Sequence, residues 1–340
     1  MKNKQTTIDD IALLAGVSVR TVSRVINRSS KVGEATRKRV LQIIEDLSYQ
    51  PNAQARGLAG GRSFLLGMIY DNPDALYIDE VQRGVLSVCR SLGYELVVHP
   101  CDMQSDSLIV EAVGFCSHSK LDGVIILPPV SENNDLAGAL GKAQINYVRL
   151  ASVALDKAEN VVISNDRSAA AAMAEHLVEL GHRRIGYITG PMGMKSSQER
   201  LDGFCDELQK LGHKPSEDMI VNGAYTYESG IECSRALLEN PDPPTAIFAS
   251  NDEMAVGTIR TAREMGLNLP EDLSVAGFDD SKLAQKSYPA LTTIRRPVQE
   301  MAGLATAKLI ASIDGRQDDA RVMNMVTPFI IPRDSTAALD

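Results

Sequence analysis

The sequence predicts an α/β protein in which a small helical N-terminal domain precedes two doubly wound parallel-sheet subdomains. With 340 residues, 44% of them hydrophobic, the chain is long enough to bury more than one core. Residues 1–62 hold eleven lysines and arginines against five acidic residues, whereas the rest of the chain holds 24 against 39. From Phe64 onward, short β-rich apolar runs alternate with helical segments. A basic head on an acidic body therefore indicates a polyanion-binding module joined to a separate domain.

No feature of the sequence indicates a membrane span, a secretory signal or a metal. No run of 18 apolar residues exists, and the N-terminus "MKNKQTTIDD" lacks an apolar signal-peptide region, so we expect a cytoplasmic protein. The five cysteines are scattered without a CxxC pair, which favours buried free thiols over a disulfide framework or a zinc site. We therefore predict neither a metal nor a cofactor.

The segment "TIDDIALLAGVSVRTVSRVIN", residues 7–27, predicts two short helices joined by a tight turn. Thr7 can cap the first helix, and Gly16 ends it where a left-handed residue is usually needed. Ser18 can cap the second helix. The apolar faces are Ile8, Ile11, Ala12 and Ala15 in the first helix and Val22, Val25 and Ile26 in the second. Two short helices around a Gly-containing turn are typical of a helix-turn-helix.

The second helix is predicted to present a basic face to a partner. That outer face carries Val19, Arg20, Thr21 and Arg24. Arginine pairs with guanine edges in the DNA major groove, and valine contacts a thymine methyl group. A third helix, "EATRKRVLQIIEDLSY", has Val40, Ile43, Ile44 and Leu47 as its core face and Arg37, Lys38 and Arg39 free for phosphates. The alternative is a generic three-helix bundle with a solvated basic face.

The acidic body is predicted to contain roughly ten strands, too many for one tidy sheet, and hence two doubly wound subdomains. The clearest runs are "FLLGMIYD", "YELVVHPC", "GVIILPP", "VVISND", "RIGYITGP", "MIVNGAY", "AIFASND" and "LSVAGFDD". Helical segments lie between them, with starts near Ile78 and Ser107. Strand–helix alternation at this spacing predicts parallel sheets with helices on both faces.

These runs set the expected domain boundaries. We expect a DNA-binding domain at 1–50, a linker at 51–61 and a body at 62–340. The first subdomain is predicted at about 62–162 and 293–322, and the second at about 163–292 and 323–340. The chain is expected to cross between them near 161–166, 291–297 and 322–328.

Polar or turn-forming pairs follow five of the predicted strands. They are Asp71-Asn72, Asn165-Asp166, Gly190-Pro191, Asn251-Asp252 and Asp279-Asp280. Ligands of parallel sheets bind beyond the carboxyl ends of the strands, where Asp and Asn satisfy the hydroxyl groups of a polyol. Helix capping explains any one of these pairs equally well, and Asn251-Asp252 can divide the two roles.

The basic head resembles the DNA-binding headpiece of the LacI/GalR family of bacterial transcriptional regulators. The resemblance rests on "TIDDIALLAGVSVRTVSRVIN", "TRKRV" and "YQPNAQARGLA". The rest of the chain agrees with the family in order and spacing, which implies a body similar to periplasmic sugar-binding proteins. One position departs: Gly33 stands before "EATRKRV" where the family usually has a Ser cap, and glycine caps more weakly.

The resemblance implies roles for the residues of the head. Val19 and Arg20 are then the variable base readers, and Arg24 is a shared one. Backbone-contact or cap positions are Thr7, Ser18, Thr21, Ser23 and Asn27.

The segment "PNAQARGLAGG", residues 51–61, is expected to form a hinge helix of about two turns, too short to be stable alone. It should fold when two copies meet over the operator centre. Leu58 then enters the minor groove as an apolar wedge that kinks the duplex. Asn52, Ala55 and Arg56 lie against the groove and the backbone.

The resemblance also implies an effector site in the cleft of the body. Arg200 matches the arginine that grips the effector, Ser196 lies one turn earlier, and Tyr225 falls where an aromatic meets a sugar ring. The other implied contacts are Asn251, Asp279, more loosely Asp166, Arg296 at the crossover and Tyr77 from the first subdomain. Arg200 and Arg296 together also suit an acidic or phosphorylated sugar, so the charge of the effector stays open.

The leading hypothesis is a ligand-responsive repressor of a carbohydrate-use operon. One helix-turn-helix buries too little surface for tight binding, so a homodimer should place two recognition helices ~34 Å apart on a palindromic operator. A sugar-transport solute-binding protein is the alternative, although no export signal is present and the head would be unexplained. An enzyme is a further alternative, but GxSxG, GxGxxG and GxxxxGK motifs are absent and no catalytic residue is predicted.

Overall fold

The computed structural model describes residues 6–26, 31–47, 49, 62–72, 74–213, 215–316 and 324–339. The predicted hinge helix at 51–61 lies outside these residues. So do Asn27, Asn52, Ala55, Arg56 and Leu58, whose roles remain predictions.

The N-terminal domain contains three helices, α1 at Ile8–Ala15, α2 at Val19–Ile26 and α3 at Glu34–Asp46. Thr7 forms a capping box, since the Asp10 N–H donates to its hydroxyl (3.3 Å) and its own N–H donates to the Asp10 carboxylate (2.8 Å). Gly16 ends α1 in the left-handed region, at φ 60°. The predicted helix-turn-helix is therefore present. Leu47, predicted in the core, is 40% exposed because it lies at the C-cap of α3.

The first subdomain is built on a six-stranded parallel sheet in the order β11-β5-β4-β3-β1-β2. Its elements are β1 Leu65–Tyr70, α4 Ala75–Leu92, β2 Glu95–Pro100, α5 Leu108–His118, β3 Gly123–Ile126, α6 Asn134–Lys142, β4 Asn146–Ala151, β5 Val161–Ser164, α12 Val298–Ile313 and β11 Met325–Val326. The helix expected near Ile78 begins earlier, because the Asp74 carboxylate accepts from the N–H groups of Leu76 and Tyr77. This cap places Tyr77 in the first turn of α4.

The second subdomain is built on a six-stranded sheet in the order β12-β10-β9-β8-β6-β7, in which only β12 is antiparallel among the described strands. Its elements are α7 Asp166–Glu179, β6 Ile185–Thr189, α8 Lys195–Lys210, β7 Ile220–Asn222, α9 Tyr227–Leu238, β8 Ala246–Ala249, α10 Asp252–Glu264, β9 Ser274–Asp279, α11 Lys282–Lys286, β10 Thr292–Arg295 and β12 Phe329–Ile331. The predicted fold class, an α/β body of two doubly wound parallel-sheet subdomains behind a helical head, is confirmed.

The chain passes between the two sheets after β5, after β10 and after β11. Three boundaries differ from the sequence-based ones. Residues 163–164 belong to the first subdomain rather than the second, because β5 pairs with β4 and β11. Residues 293–295 belong to the second subdomain rather than the first, because β10 pairs with β9 and β12. Residues 325–326 belong to the first, because β11 pairs with β5.

Close packing of α7 against α8 fixes the position of the central cleft residues. A Cβ atom at Gly203 of α8 would lie 2.1 Å from the backbone oxygen of Arg167 in α7, so only glycine allows this approach. The contact brings Asp166, at the start of α7, next to Arg200 on α8. Separate apolar cores lie on either face of each sheet. Among the described residues, no helix is both long and apolar enough to cross a bilayer.

Candidate functional site

Helix α2 presents the side chains that the sequence assigned to DNA. Val22 and Val25 face the core at 0% and 1% exposure, whereas Val19 is 38% exposed and Arg20 is exposed. Arg24 is half-buried beside them. The helix therefore offers a basic outer face with one apolar residue, which suits the edges of bases.

Serine and threonine side chains fix the ends of these helices. The Ser18 hydroxyl accepts from the N–H of Thr21 (3.2 Å) and lies 2.9 Å from its hydroxyl, so both residues shape the start of α2. Thr7 is occupied in the capping box of α1, and Ser23 is half-buried. Phosphate contacts from Thr7, Ser18, Thr21 and Ser23 remain predictions.

Arg200 lies at the centre of the cleft, hydrogen-bonded to the protein through two guanidinium nitrogens and in ion-pair contact through the third. Its Nε and Nη2 each lie 2.9 Å from Asp166 Oδ2, and its Nη1 donates to the backbone oxygen of Ser250 (2.5 Å). The guanidinium stacks over the Phe278 ring at 3.7 Å. Arg200 and Asp166 are 3% and 0% exposed. The charge of Arg200 is therefore neutralised within the protein.

Asp166 receives further bonds from the ends of two strands of the first sheet. The hydroxyls of Ser164 and Ser152 donate to it at 2.5 and 3.1 Å. Burial by itself would raise the pKa of Asp166, but the charges of Arg200 and Arg296 outweigh it and lower the pKa. Asp166 is thus an ionised carboxylate that joins α7 to the first sheet and holds Arg200.

Arg296 and Asp279 form a second, looser pair. Arg296 Nη2 lies 3.1 Å from Asp279 Oδ1 without hydrogen-bond alignment, and both Arg296 Nε and Asp279 Oδ1 are buried with no hydrogen-bond partner among the described residues. The Tyr77 ring lies 4.9 Å from the Arg296 guanidinium. Burial raises the pKa of Asp279, although the two arginines oppose it.

Arg296, Asp279 and Tyr77 line a cavity of about 560 Å³ between the subdomains. A cavity of this size fits a small ligand. Its other walls come from the first turns of α4, from the loop after β9 and from the crossover at 295–300. Asp166, Ser196, Arg200, Tyr225 and Asn251 lie behind or beside this cavity rather than on its wall.

Tyr225 is held at the edge of the cleft by two neighbours. Its hydroxyl lies 2.9 Å from that of Ser197, and its backbone oxygen accepts from Asn251 Nδ2 (2.9 Å). Asn251 also caps α10, because its Oδ1 accepts from the Met254 N–H (3.0 Å). Asn251 therefore caps a helix, as one of the two alternatives predicted, and both polar atoms of its amide are bonded to the protein. Ser197, the neighbour of the predicted effector contact Ser196, is the serine that contacts Tyr225.

Sequence reasoning missed Ser197, Phe278 and Glu132. Ser197 is adjacent to the predicted Ser196, and spacing alone could not choose between neighbours on a helix. Phe278 precedes Asp279 in the same strand and lies under Arg200. Glu132 follows β3, where a carboxylate after "GVIILPP" was the available signal. No cluster of three or more metal-ligating side chains occurs in the described part of the chain.

Comparison with known proteins agrees with this architecture. Residues 7–52 match the family model "Bacterial regulatory proteins, lacI family", and residues 174–336 match that of the "Periplasmic binding protein-like domain". The "Probable HTH-type transcriptional repressor ExuR" of Bacillus subtilis (strain 168) is 33% identical over 338 residues, 98% of this chain and 99% of the relative. The chain belongs to the lacI family of bacterial regulatory proteins.

Other lacI-family members are similar over comparable lengths. "Catabolite control protein A" of Priestia megaterium is 32% identical over 94% of this chain and 96% of its own. The lac repressor dimer bound to operator and the anti-inducer ONPF superposes with a TM-score of 0.73 at 28% identity, covering 98% and 100% of the two chains. A CelR–cellobiose complex gives 0.73 at 29% identity, covering 97% and 100%. This chain is therefore a DNA-binding transcriptional regulator, as its relatives are.

Proposed function

We propose that this lacI-family regulator represses a carbohydrate-use operon and binds a neutral, polyhydroxylated effector in the cavity between its subdomains. The observation that carries the proposal is the loose pair of Arg296 and Asp279. An effector hydroxyl donates to Asp279 Oδ1 and accepts from Arg296 Nε, which completes both unpartnered groups at once. Tyr77 supplies an apolar face beside them.

The charges around the cavity favour a neutral effector over an acidic or phosphorylated one. Six carboxylates and three basic side chains line the cavity. Two of the three basic side chains, Arg296 and Arg295, are already paired with Asp279 and Asp280. Arg200 is neutralised by Asp166. An added anion would meet a surplus of negative charge in a partly buried cleft.

The DNA-binding role is proposed for a homodimer on a palindromic operator in the cytoplasm. Arg20 and Val19 on the exposed face of α2 would contact base edges, with Arg24 next to them, and their exposure supports this role. Lys38 and Arg39 of α3 are exposed and suit phosphates. The lac repressor was solved as a dimer bound to operator, which supports the same assembly here. Effector binding would alter the angle between subdomains and so the spacing of the recognition helices.

A thermal-shift comparison of matched sugars tests the effector class. The full chain is heated with glucose, glucuronate or glucose 6-phosphate, and then with the corresponding galactose and cellobiose series. We expect at least one neutral sugar to raise the Tm by several degrees while its anionic counterparts do not. An electrophoretic gel shift with the same sugar then shows whether it weakens or strengthens operator binding.

Two variants make the test specific. Arg296→Gln should abolish the thermal shift, whereas Arg260→Gln, which breaks an exposed ion pair with Glu264 on α10, should leave it unchanged. A shift produced only by the anionic sugars would overturn the proposed effector class.

A further inference from the structure

A carboxylate of the first subdomain reaches across the cleft to a helix of the second. Glu132 lies in the short 3₁₀ turn Val130–Glu132 that follows β3. Its Oε2 accepts from the backbone N–H of Lys195 at 2.9 Å, and the carboxylate also accepts from the N–H of Ser196. Lys195 and Ser196 are the first two residues of α8.

Helix α8 has no cap of its own. Met194 occupies the N-cap position, and its side chain makes no capping hydrogen bond. The first N–H groups of a helix need acceptors, and a carboxylate there also interacts favourably with the helix dipole. Glu132 therefore supplies the cap of α8 from the other side of the cleft.

The turn that carries Glu132 is anchored by a buried arginine. Arg149 of β4 is 1% exposed; its Nε donates to the Ser131 oxygen (2.6 Å) and its Nη2 to Asn134 Oδ1 (2.9 Å). The Ser131 hydroxyl donates in turn to the Leu150 oxygen (2.6 Å). Residues on both sides of Glu132 are thus fixed to the first sheet, so Glu132 moves only when that sheet moves.

Opposing effects act on the carboxylate itself. Burial raises the pKa of Glu132, while the two N–H groups and the positive charges of Lys195 and Arg149 lower it, and burial prevails. The bond from Lys195 joins residues of two different subdomains, so opening of the cleft breaks it and closure forms it again.

We propose that Glu132 is a positioning residue of the effector cleft, holding the start of α8 only while the two subdomains are close together. Helix α8 carries Ser197, which contacts Tyr225, and Arg200, which contacts Asp166. Closure of the cleft then aligns Ser197 and Arg200 at the same time, because both lie on the helix that Glu132 holds. This inference rests on the proposed function, because it assigns the alignment to the effector site.

Hydrogen exchange in the ligand-free full chain tests the bond directly. Glu132→Ala should raise the exchange rate of the amides at 195–196 about tenfold. Mass spectrometry with fragmentation inside peptides covering 194–201 measures that rate. Glu132→Gln keeps an acceptor oxygen and should restore much of the protection. Asp135→Asn, an exposed carboxylate on the neighbouring helix α6, is the matched control and should change nothing.

A second variant separates a bond between subdomains from a merely local cap. Met194→Asp places a cap within α8 itself, so Glu132→Ala/Met194→Asp should regain amide protection. Small-angle scattering should show a larger radius of gyration in Glu132→Ala than in the parent, because a bond between the subdomains is lost, and the double variant should keep the larger value. Unchanged exchange in Glu132→Ala, or a double variant whose scattering returns to that of the parent, would overturn the proposal. No sugar enters this test, so its failure is distinct from failure of the effector assignment.

Discussion

The cleft contains two arginine–aspartate pairs that have the same residue types and differ in how many of their polar atoms are hydrogen-bonded to the protein. In the pair of Arg200 and Asp166, both side chains are almost fully buried, two arginine nitrogens donate hydrogen bonds and the third lies 2.9 Å from the carboxylate. In the pair of Arg296 and Asp279, the side chains keep 12% and 18% exposure, and each has a buried polar atom without a hydrogen-bond partner among the described residues.

The difference shows how one residue type serves two purposes in the same cleft. A buried ion pair is stable only if its remaining donors and acceptors are hydrogen-bonded. Ser152, Ser164 and Ser250 form these hydrogen bonds with Arg200 and Asp166. Arg296 and Asp279 lack such neighbours and face the cavity instead. The first pair therefore maintains the architecture of the cleft, and the second is the one to which we assign the proposed effector.

The largest expected effect comes from removing one arginine of each pair. Arg200→Ala leaves the buried Asp166 charge uncompensated, so the free energy of unfolding should fall by about 3–5 kcal/mol. Arg296→Gln should lower it by about 1–2 kcal/mol, because Asp279 already lacks an aligned partner. Urea denaturation of both variants measures the difference.

An exposed arginine provides the control for this comparison. Arg167 on α7 pairs with Asp202 and Asp206 at the surface, so Arg167→Ala should cost at most about 1 kcal/mol. Equal losses in Arg200→Ala and Arg296→Gln would contradict the division of roles between the two pairs.

A third carboxylate, Asp252, predicts a pH dependence of intermediate size. It is 1% exposed and accepts from the Thr293 hydroxyl (2.5 Å) and the Ser281 N–H (2.6 Å). Burial, followed by the charge of Asp279, raises the pKa of Asp252 to about 8. Between about pH 4 and 8 the folded chain holds a proton that the unfolded chain has lost, so the free energy of unfolding falls as pH rises.

Denaturation at pH 5 and pH 8 measures this contribution. The wild-type chain should lose more than about 1 kcal/mol over that interval. Asp252→Asn keeps the shape of the side chain but removes the titration, so its loss should be clearly smaller. Parallel pH profiles in the two proteins would assign the dependence to other groups.

The smallest expected effect concerns Tyr225 beside the satisfied pair. Tyr225→Phe removes the hydroxyl contact with Ser197 and should lower the free energy of unfolding by about 0.5–1.5 kcal/mol. Tyr227→Phe removes a longer, exposed contact with Arg260 (3.5 Å) and should change it less. Thermal denaturation of both variants checks the order, and a larger loss in Tyr227→Phe would contradict it.

Local patterns predicted the elements of the fold well. The caps at Thr7 and Gly16 and the alternation of apolar runs depend on neighbouring residues, which a sequence displays directly. Strand β4 was not among the quoted runs, because Arg149 interrupts its apolar pattern. The guanidinium of Arg149 donates hydrogen bonds to the turn before α6, to the start of α6 and to the loop after β4. A short stretch of sequence does not show which distant residues accept these bonds.

The sequence predicted which residues lie in the candidate site, but not which of them are hydrogen-bonded to one another. The resemblance selected Arg200, Asp166, Asp279 and Arg296, and the structure brings all four together. It did not indicate which arginine is already occupied, because that depends on strand ends distant in sequence. The choice of Ser197 over Ser196 likewise depends on the direction of one side chain on α8.

The backbone at Asp279 has a consequence for engineering this protein. Asp279 adopts φ 114°, a region that favours glycine and strains other residues. Asp279→Gly would relieve that strain, but it would also leave the Arg296 guanidinium without its carboxylate partner. The contact proposed for the effector would be lost together with the carboxylate. The strained backbone therefore lies where the proposed effector contact requires an aspartate.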